Sequence, residues 1–174
     1  ESIGVSWTFD EFYSQFATDG MDANGNGKFE PAELQGIATT MAQNLKEFRY
    51  FTFIEVGGKL AAVGAPTAAR AVFDKGQLTL SFRLPLATAV DAATTKVRFS
   101  SFDPTYYVDI APIAANAVVF TGPAPKSCSH SLRKVDSTRD NLGSAIGIAM
   151  QSPSNDVLNA TSAAVVDISC ATAA

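Results

Sequence analysis

Residues 22–33 read Asp22-Ala23-Asn24-Gly25-Asn26-Gly27-Lys28-Phe29-Glu30-Pro31-Ala32-Glu33, and no other stretch of the chain restricts its geometry as tightly. Oxygen-bearing side chains stand at the first, third, fifth, ninth and twelfth positions, with a glycine at the sixth. Helical patterns lie on both sides. Upstream, Thr8-Phe9-Asp10-Glu11 reads as a capping box, followed by Phe9, Phe12, Tyr13 and Phe16 as one apolar stripe. Downstream, Pro31 suits a first helical turn, where its missing N–H goes unneeded, and Leu34, Ile37, Met41, Leu45 and Phe48 mark a buried face. Residues 8–48 therefore read as helix, loop, helix.

That pattern matches the twelve-residue calcium loop of an EF-hand. Ca²⁺ is a hard cation that takes six to eight oxygens at about 2.3–2.6 Å. Asp22 offers a carboxylate, Asn24 and Asn26 offer amide oxygens, and Lys28 can offer only its backbone carbonyl. Gly27 allows the sharp turn, and Phe29 anchors the loop to the core. Glu30 binds directly or through water, and Glu33 supplies a bidentate carboxylate. Mg²⁺ demands stricter octahedral geometry, so Ca²⁺ is favoured. Two of the ligand positions are Asn and there is no second hand. These features set the expected dissociation constant at about 10⁻⁵–10⁻³ M, typical of extracellular modules where the ion is structural.

Charge points to the same segment. The first 33 residues hold seven acids (Glu1, Asp10, Glu11, Asp19, Asp22, Glu30 and Glu33) and one base, Lys28, for a net charge of −6. The whole chain of 174 residues carries −4, so the remainder is slightly basic. An acidic balance excludes the electrostatic footprint of a nucleic-acid binder. No apolar run reaches the roughly 18–20 residues of a spanning helix, so the chain is not expected to span a membrane.

The middle of the chain is strand-like. Phe51–Val56, Gly57-Gly58 and Lys59–Val63 predict a hairpin with a two-glycine turn. Ala69–Phe73, Asp74-Lys75-Gly76 and Leu78–Leu84 predict a second. Further strands are expected at Lys96–Phe99, Tyr106–Ile110, Ala117–Phe120, Ser129–Val135 and Ala163–Ile168, with a short helix at 142–151. Ser2–Trp7 alternates like the tail of a strand whose partner lies upstream. The expected architecture is one α+β domain over 1–174, an N-terminal EF-hand-like helix–loop–helix packed on an antiparallel sheet. Its parts are residues 8–48, strands over 51–135 and a C-terminal helix/strand segment at 136–174.

Cys128 and Cys170 show no C-x-x-C spacing. Of two readings, buried thiols or one disulfide in an exported protein, the disulfide is the one expected, and it would tie the last strand to the body of the domain. Cys128-Ser129-His130 is also a conceivable metal pair if reduced, though two ligands make a poor site. Asp103 and Asp109 are candidate acid/base carboxylates, but no nucleophile, oxyanion hole or metal triad accompanies them, so turn chemistry is the simpler reading. Arg133, Lys134 and Arg139 read as a solvated surface. Asn159-Ala160-Thr161 is a formal sequon. Glu1 is not an initiator Met, which accords with a removed signal peptide.

Four stretches occur in a familiar order: Trp7–Ser14, Asp22–Glu33, Leu45–Thr52 and Phe102–Asp109. Across residues 1–135 the chain resembles a family of exported bacterial proteins of unknown function, described as a periplasmic component of an uncharacterised ABC-type transport system. The resemblance implies a periplasmic location and an inner-membrane partner transporting nickel/cobalt or zinc. Relatives carry a His-Pro-His stretch upstream of Trp7, which is absent here, so no transition-metal site follows from it. The expected function is a non-enzymatic calcium-binding accessory or binding component of a metal transport system. Alternatives are a calcium-rigidified extracytoplasmic interaction or adhesion module and, ranked below it, a carboxylate-dependent hydrolase.

Overall fold

The computed structural model describes residues 2–103, 107–112, 118–120, 128–134 and 164–171. Its elements in chain order are β1 (Ser2–Thr8), α1 (Glu11–Thr18), α2 (Pro31–Asn44), β2 (Thr52–Val56), β3 (Lys59–Leu60), β4 (Thr67–Asp74), β5 (Gln77–Pro85), β6 (Val97–Ser101), β7 (Cys128–Lys134) and β8 (Ala164–Cys170). They fall into two compact units, one of Glu1–Tyr50 with Val63–Thr88, the other of Phe51–Ala62 with Ala89–Ala174.

The first unit carries both helices on a three-stranded antiparallel sheet in the order β1-β5-β4. Its central strand β5 alternates strictly, sending Leu78, Leu80, Phe82 and Leu84 into the core and the intervening residues outward. Leu34, Ala38 and Ala42 of α2 complete that core, with Ala71 and Tyr50. The β4–β5 turn is made by Lys75 and Gly76, both at positive φ (50° and 84°), the left-handed pair that suits a two-residue hairpin.

The second unit is a five-stranded antiparallel sheet in the order β3-β2-β6-β8-β7. Gly57 and Gly58 turn β2 into β3 as their spacing predicts. Thr52, Phe53, Ile54 and Glu55 are all buried, so β2 is covered on both faces. Phe53 stacks on Phe102 with ring centroids 4.6 Å apart. Cys128 and Cys170, paired across β7 and β8, form a disulfide.

The expected fold class is thereby corrected. The described chain is mainly β, with two antiparallel sheets rather than one, and it opens on a strand rather than on the helix–loop–helix. The strand at Ser2–Thr8 finds its partner far downstream, in β5, with Trp7 opposite Leu80 and Thr8 opposite Thr79. Alternation announces a strand but not its partner, and β1 pairs across more than 70 residues. Residues 107–110 and 118–120 form no strand. The expected helix at 142–151, the sequon and Arg139 lie outside the described residues.

The first helix is also corrected. Its N-cap is Asp10, whose carboxylate accepts the Tyr13 N–H at 2.9 Å, while Thr8 belongs to β1. The buried face is Ser14 and Thr18; Phe12 and Phe16 point to solvent. Ser14 donates its hydroxyl to the Asp10 carbonyl (2.6 Å) and accepts the Leu78 N–H (2.8 Å), tying α1 to β5. Ser14→Ala leaves that buried N–H without its partner. It is expected to destabilise the first unit by about 1–3 kcal/mol in urea and to speed exchange of the Leu78 amide. An unchanged midpoint would contradict this role.

Candidate functional site

The residues singled out in the loop are drawn into one hydrogen-bonded network. Asp22 sits just past the end of α1, and its two carboxylate oxygens accept the N–H groups of Asn26 (3.1 Å) and Gly27 (2.8 Å). Gly27, at φ +77°, takes a left-handed conformation that a side chain would oppose. Asn24 Oδ1 accepts from Asn26 N–H at 3.0 Å, and Asn26 Oδ1 from Lys28 N–H at 2.8 Å. These are successive Asx turns, in which short polar side chains satisfy their own backbone. Lys28 joins the network only through that N–H, and the residue is exposed.

Both ends of the loop are closed by Glu33, in the first turn of α2. Its Oε1 accepts the N–H groups of Ala23 (2.9 Å) and Asn24 (3.3 Å), and its Oε2 that of Glu30 (3.0 Å). Glu30, the N-cap of α2, receives the amide groups of Asn26 (2.8 Å) and Asn24 (3.0 Å) on its two oxygens. These hydrogen bonds, that from Asn26 foremost, hold the Glu30 carboxyl below its ordinary pKa, so it is anionic at neutral pH. Phe29 is half-buried against the core, its ring 4.9 Å from that of Phe73, which anchors the loop as its position predicts.

For a hard cation the donor set fits by type: three carboxylates and two amide oxygens, with no nitrogen or sulfur ligand required. The two amides turn their nitrogens, not their oxygens, toward Glu30, so ligation through both oxygens requires those two contacts to give way. Among the described residues no three His, Cys, Asp or Glu side chains gather closely enough to hold a metal alone. Any cation held here would need amide and carbonyl oxygens as well as acids.

Other sequence candidates resolve differently. Cys128 is bonded to Cys170, which removes the Cys128/His130 metal pair, and His130 instead lies edge-on to Phe120 at 5.9 Å. Asp103 is buried, and its Oδ2 accepts the N–H groups of Tyr107 and Val108 (both 3.0 Å), so its carboxylate is committed to backbone; Asp109 is exposed. Arg133 is not simply a solvated cation. It reaches Asp167 at 3.0 Å, which also meets Arg98 at 3.1 Å, and Arg98 continues to Glu55 at 3.4 Å. Burial pushes the Asp167 carboxyl up, but the hydrogen bonds from Arg98 and Arg133 outweigh it and leave it below the usual carboxylate range. Four strands contribute to this row, a juxtaposition that no local motif could announce.

Residues 1–170 match the family described as "Protein of unknown function (DUF1007)". The chain belongs to this family. A similar protein is the "Uncharacterized 15.5 kDa protein in trpE 3'region" of Spirochaeta aurantia, 37% identical over 89 residues. That match covers 51% of this chain and 63% of the relative, so the chain spans less than two thirds of it. No solved structure matches. The family membership brings no activity with it. No helix among the described residues is long and apolar enough to cross a membrane.

Proposed function

We propose that this chain is a non-enzymatic calcium-binding protein of the bacterial envelope, in which Ca²⁺ serves a structural role. The observation that carries the reading is the Asp22–Glu33 loop, oxygen-rich and clasped at both ends by one glutamate. Asp22, Asn24, Asn26, Glu30, Glu33 and the Lys28 carbonyl would hold the ion. When bound, it neutralises part of the acidic segment and secures the connection between α1 and α2. The disulfide supports an oxidising compartment, hence an exported, periplasmic location. The sequence resemblance supports a place as an accessory or binding component of a transition-metal transport system.

Calorimetric titration of metal-stripped protein should show one Ca²⁺ site, with weaker Mg²⁺ binding, and a raised melting temperature in millimolar calcium. Glu33→Gln should weaken the site at least tenfold, because it removes an anionic bidentate ligand and turns an amide N–H toward backbone donors. Absent heat and an unmoved melting temperature would end the calcium reading.

A second reading, an interaction module that calcium rigidifies, is favoured by the exposure of Phe12 and Phe16 on the helix that enters the loop.

A further inference from the structure

Phe12 and Phe16 lie one turn apart on α1, 84% and 76% exposed, on the side opposite the buried Ser14 and Thr18. Residues four apart on a helix are neighbours, so the two rings form one contiguous apolar patch, and exposed apolar patches mark interaction sites. Its surroundings are acidic. Glu11, Gln15 and Asp19 run along the adjacent stripe of the same helix, all exposed, and Asp10 caps its start. Where α1 meets the loop, a hollow of about 260 Å³ is lined by Gln15, Asp19, Asp22, Phe29 and Phe73 among others, carboxylates beside an aromatic wall.

We propose that this face of α1 docks an amphipathic, basic segment of a partner protein, its apolar side chains on Phe12 and Phe16 and a Lys or Arg in the hollow. A long cationic side chain suits that hollow, because its stem packs on Phe29 and Phe73 while its head meets Asp19. Charge decides against other occupants. A second copy docked through the same face would bring one segment of −6 against another, and an anionic bilayer would repel it. A divalent ion in the loop would still leave the segment at −4, so docking does not depend on the calcium reading.

The test uses the full chain and a labelled synthetic helix of Leu and Lys with amphipathic spacing. A Leu/Glu helix of the same pattern and anionic vesicles serve as comparison arms, and sedimentation reports self-association. The Leu/Lys helix is expected to bind, and Phe12→Ser with Phe16→Ser to weaken it at least tenfold without lowering the melting temperature, since both rings are solvent-exposed. Glu11→Gln with Asp19→Asn should weaken it several-fold. So should raising salt from about 0.01 to 1 M, which shortens the Debye length from ~30 to ~3 Å. If the double Phe variant does not fold, the single Phe variants and the charge pair carry the test.

Equal binding of the Leu/Glu helix, or binding indifferent to both sets of substitutions, overturns the proposal. Self-association or vesicle binding that needs Phe12 and Phe16, without affinity for the Leu/Lys helix, overturns it in favour of that occupant. Run in calcium and in chelator, the assay keeps the two readings apart. Binding in chelator upholds the docking face even where calcium gives no heat, and absence of binding in both conditions ends it whatever the ion does.

Discussion

Replacing Cys128 and Cys170 together by alanine should lower the stability of the second unit by about 4 kcal/mol. The two residues are 42 apart in sequence, and a cross-link closing a loop of that length removes much of the freedom of the unfolded chain. Its position adds to the effect. Cys128 opens β7 and Cys170 closes β8, and β7 is the outermost strand of its sheet beside β8. Without the bond, an edge strand is held by its backbone ladder to one neighbour and by the Arg133–Asp167 pair. Guanidinium unfolding of the double variant should show a lower midpoint together with a larger m-value, because the unfolded state expands. An unchanged midpoint would mean that the unfolded state is already constrained in that region.

Leu80→Ala should cost the first unit about 3 kcal/mol. Leu80 is fully buried at the middle of the central strand, facing Trp7 on one side and Ala71 on the other. Truncation loses the transfer free energy of the deleted carbons and leaves a void bounded by a strand on each side and α2 above, where little can collapse to fill it. Val72→Ala on the neighbouring β4, half exposed, should move the midpoint by no more than about 0.5 kcal/mol. Similar losses at the two positions would show that the core of this unit does not lie along β5.

The parts of the molecule that were legible beforehand are those whose causes are local. Gly57-Gly58 and Lys75-Gly76 make turns because few residues tolerate their φ angles, and neighbouring strands follow within a few residues. Pro31 and Glu33 set the start of α2. The loop residues Asp22, Asn24, Asn26, Glu30 and Glu33 share one network because each of its hydrogen bonds joins residues no more than 10 positions apart. The differences between expectation and structure have a common origin. Helical spacing identifies a stripe but not the surface that covers it, and on α1 the aromatic stripe is not the one that meets the core. The sheet takes Ser14 and Thr18 instead, because a small hydroxyl can approach β5 closely and receive the Leu78 N–H.

Sequence alone therefore determined which polar residues gather in the acidic loop, the two hairpin turns and the positions of most strands, since each depends on residues close together along the chain. Tertiary structure alone decided that β1 pairs with β5, that the strands divide between two sheets, and that Phe12 and Phe16 remain in water. Those outcomes depend on which distant surfaces meet, and the free energy of such a meeting belongs to a pair of segments rather than to either one.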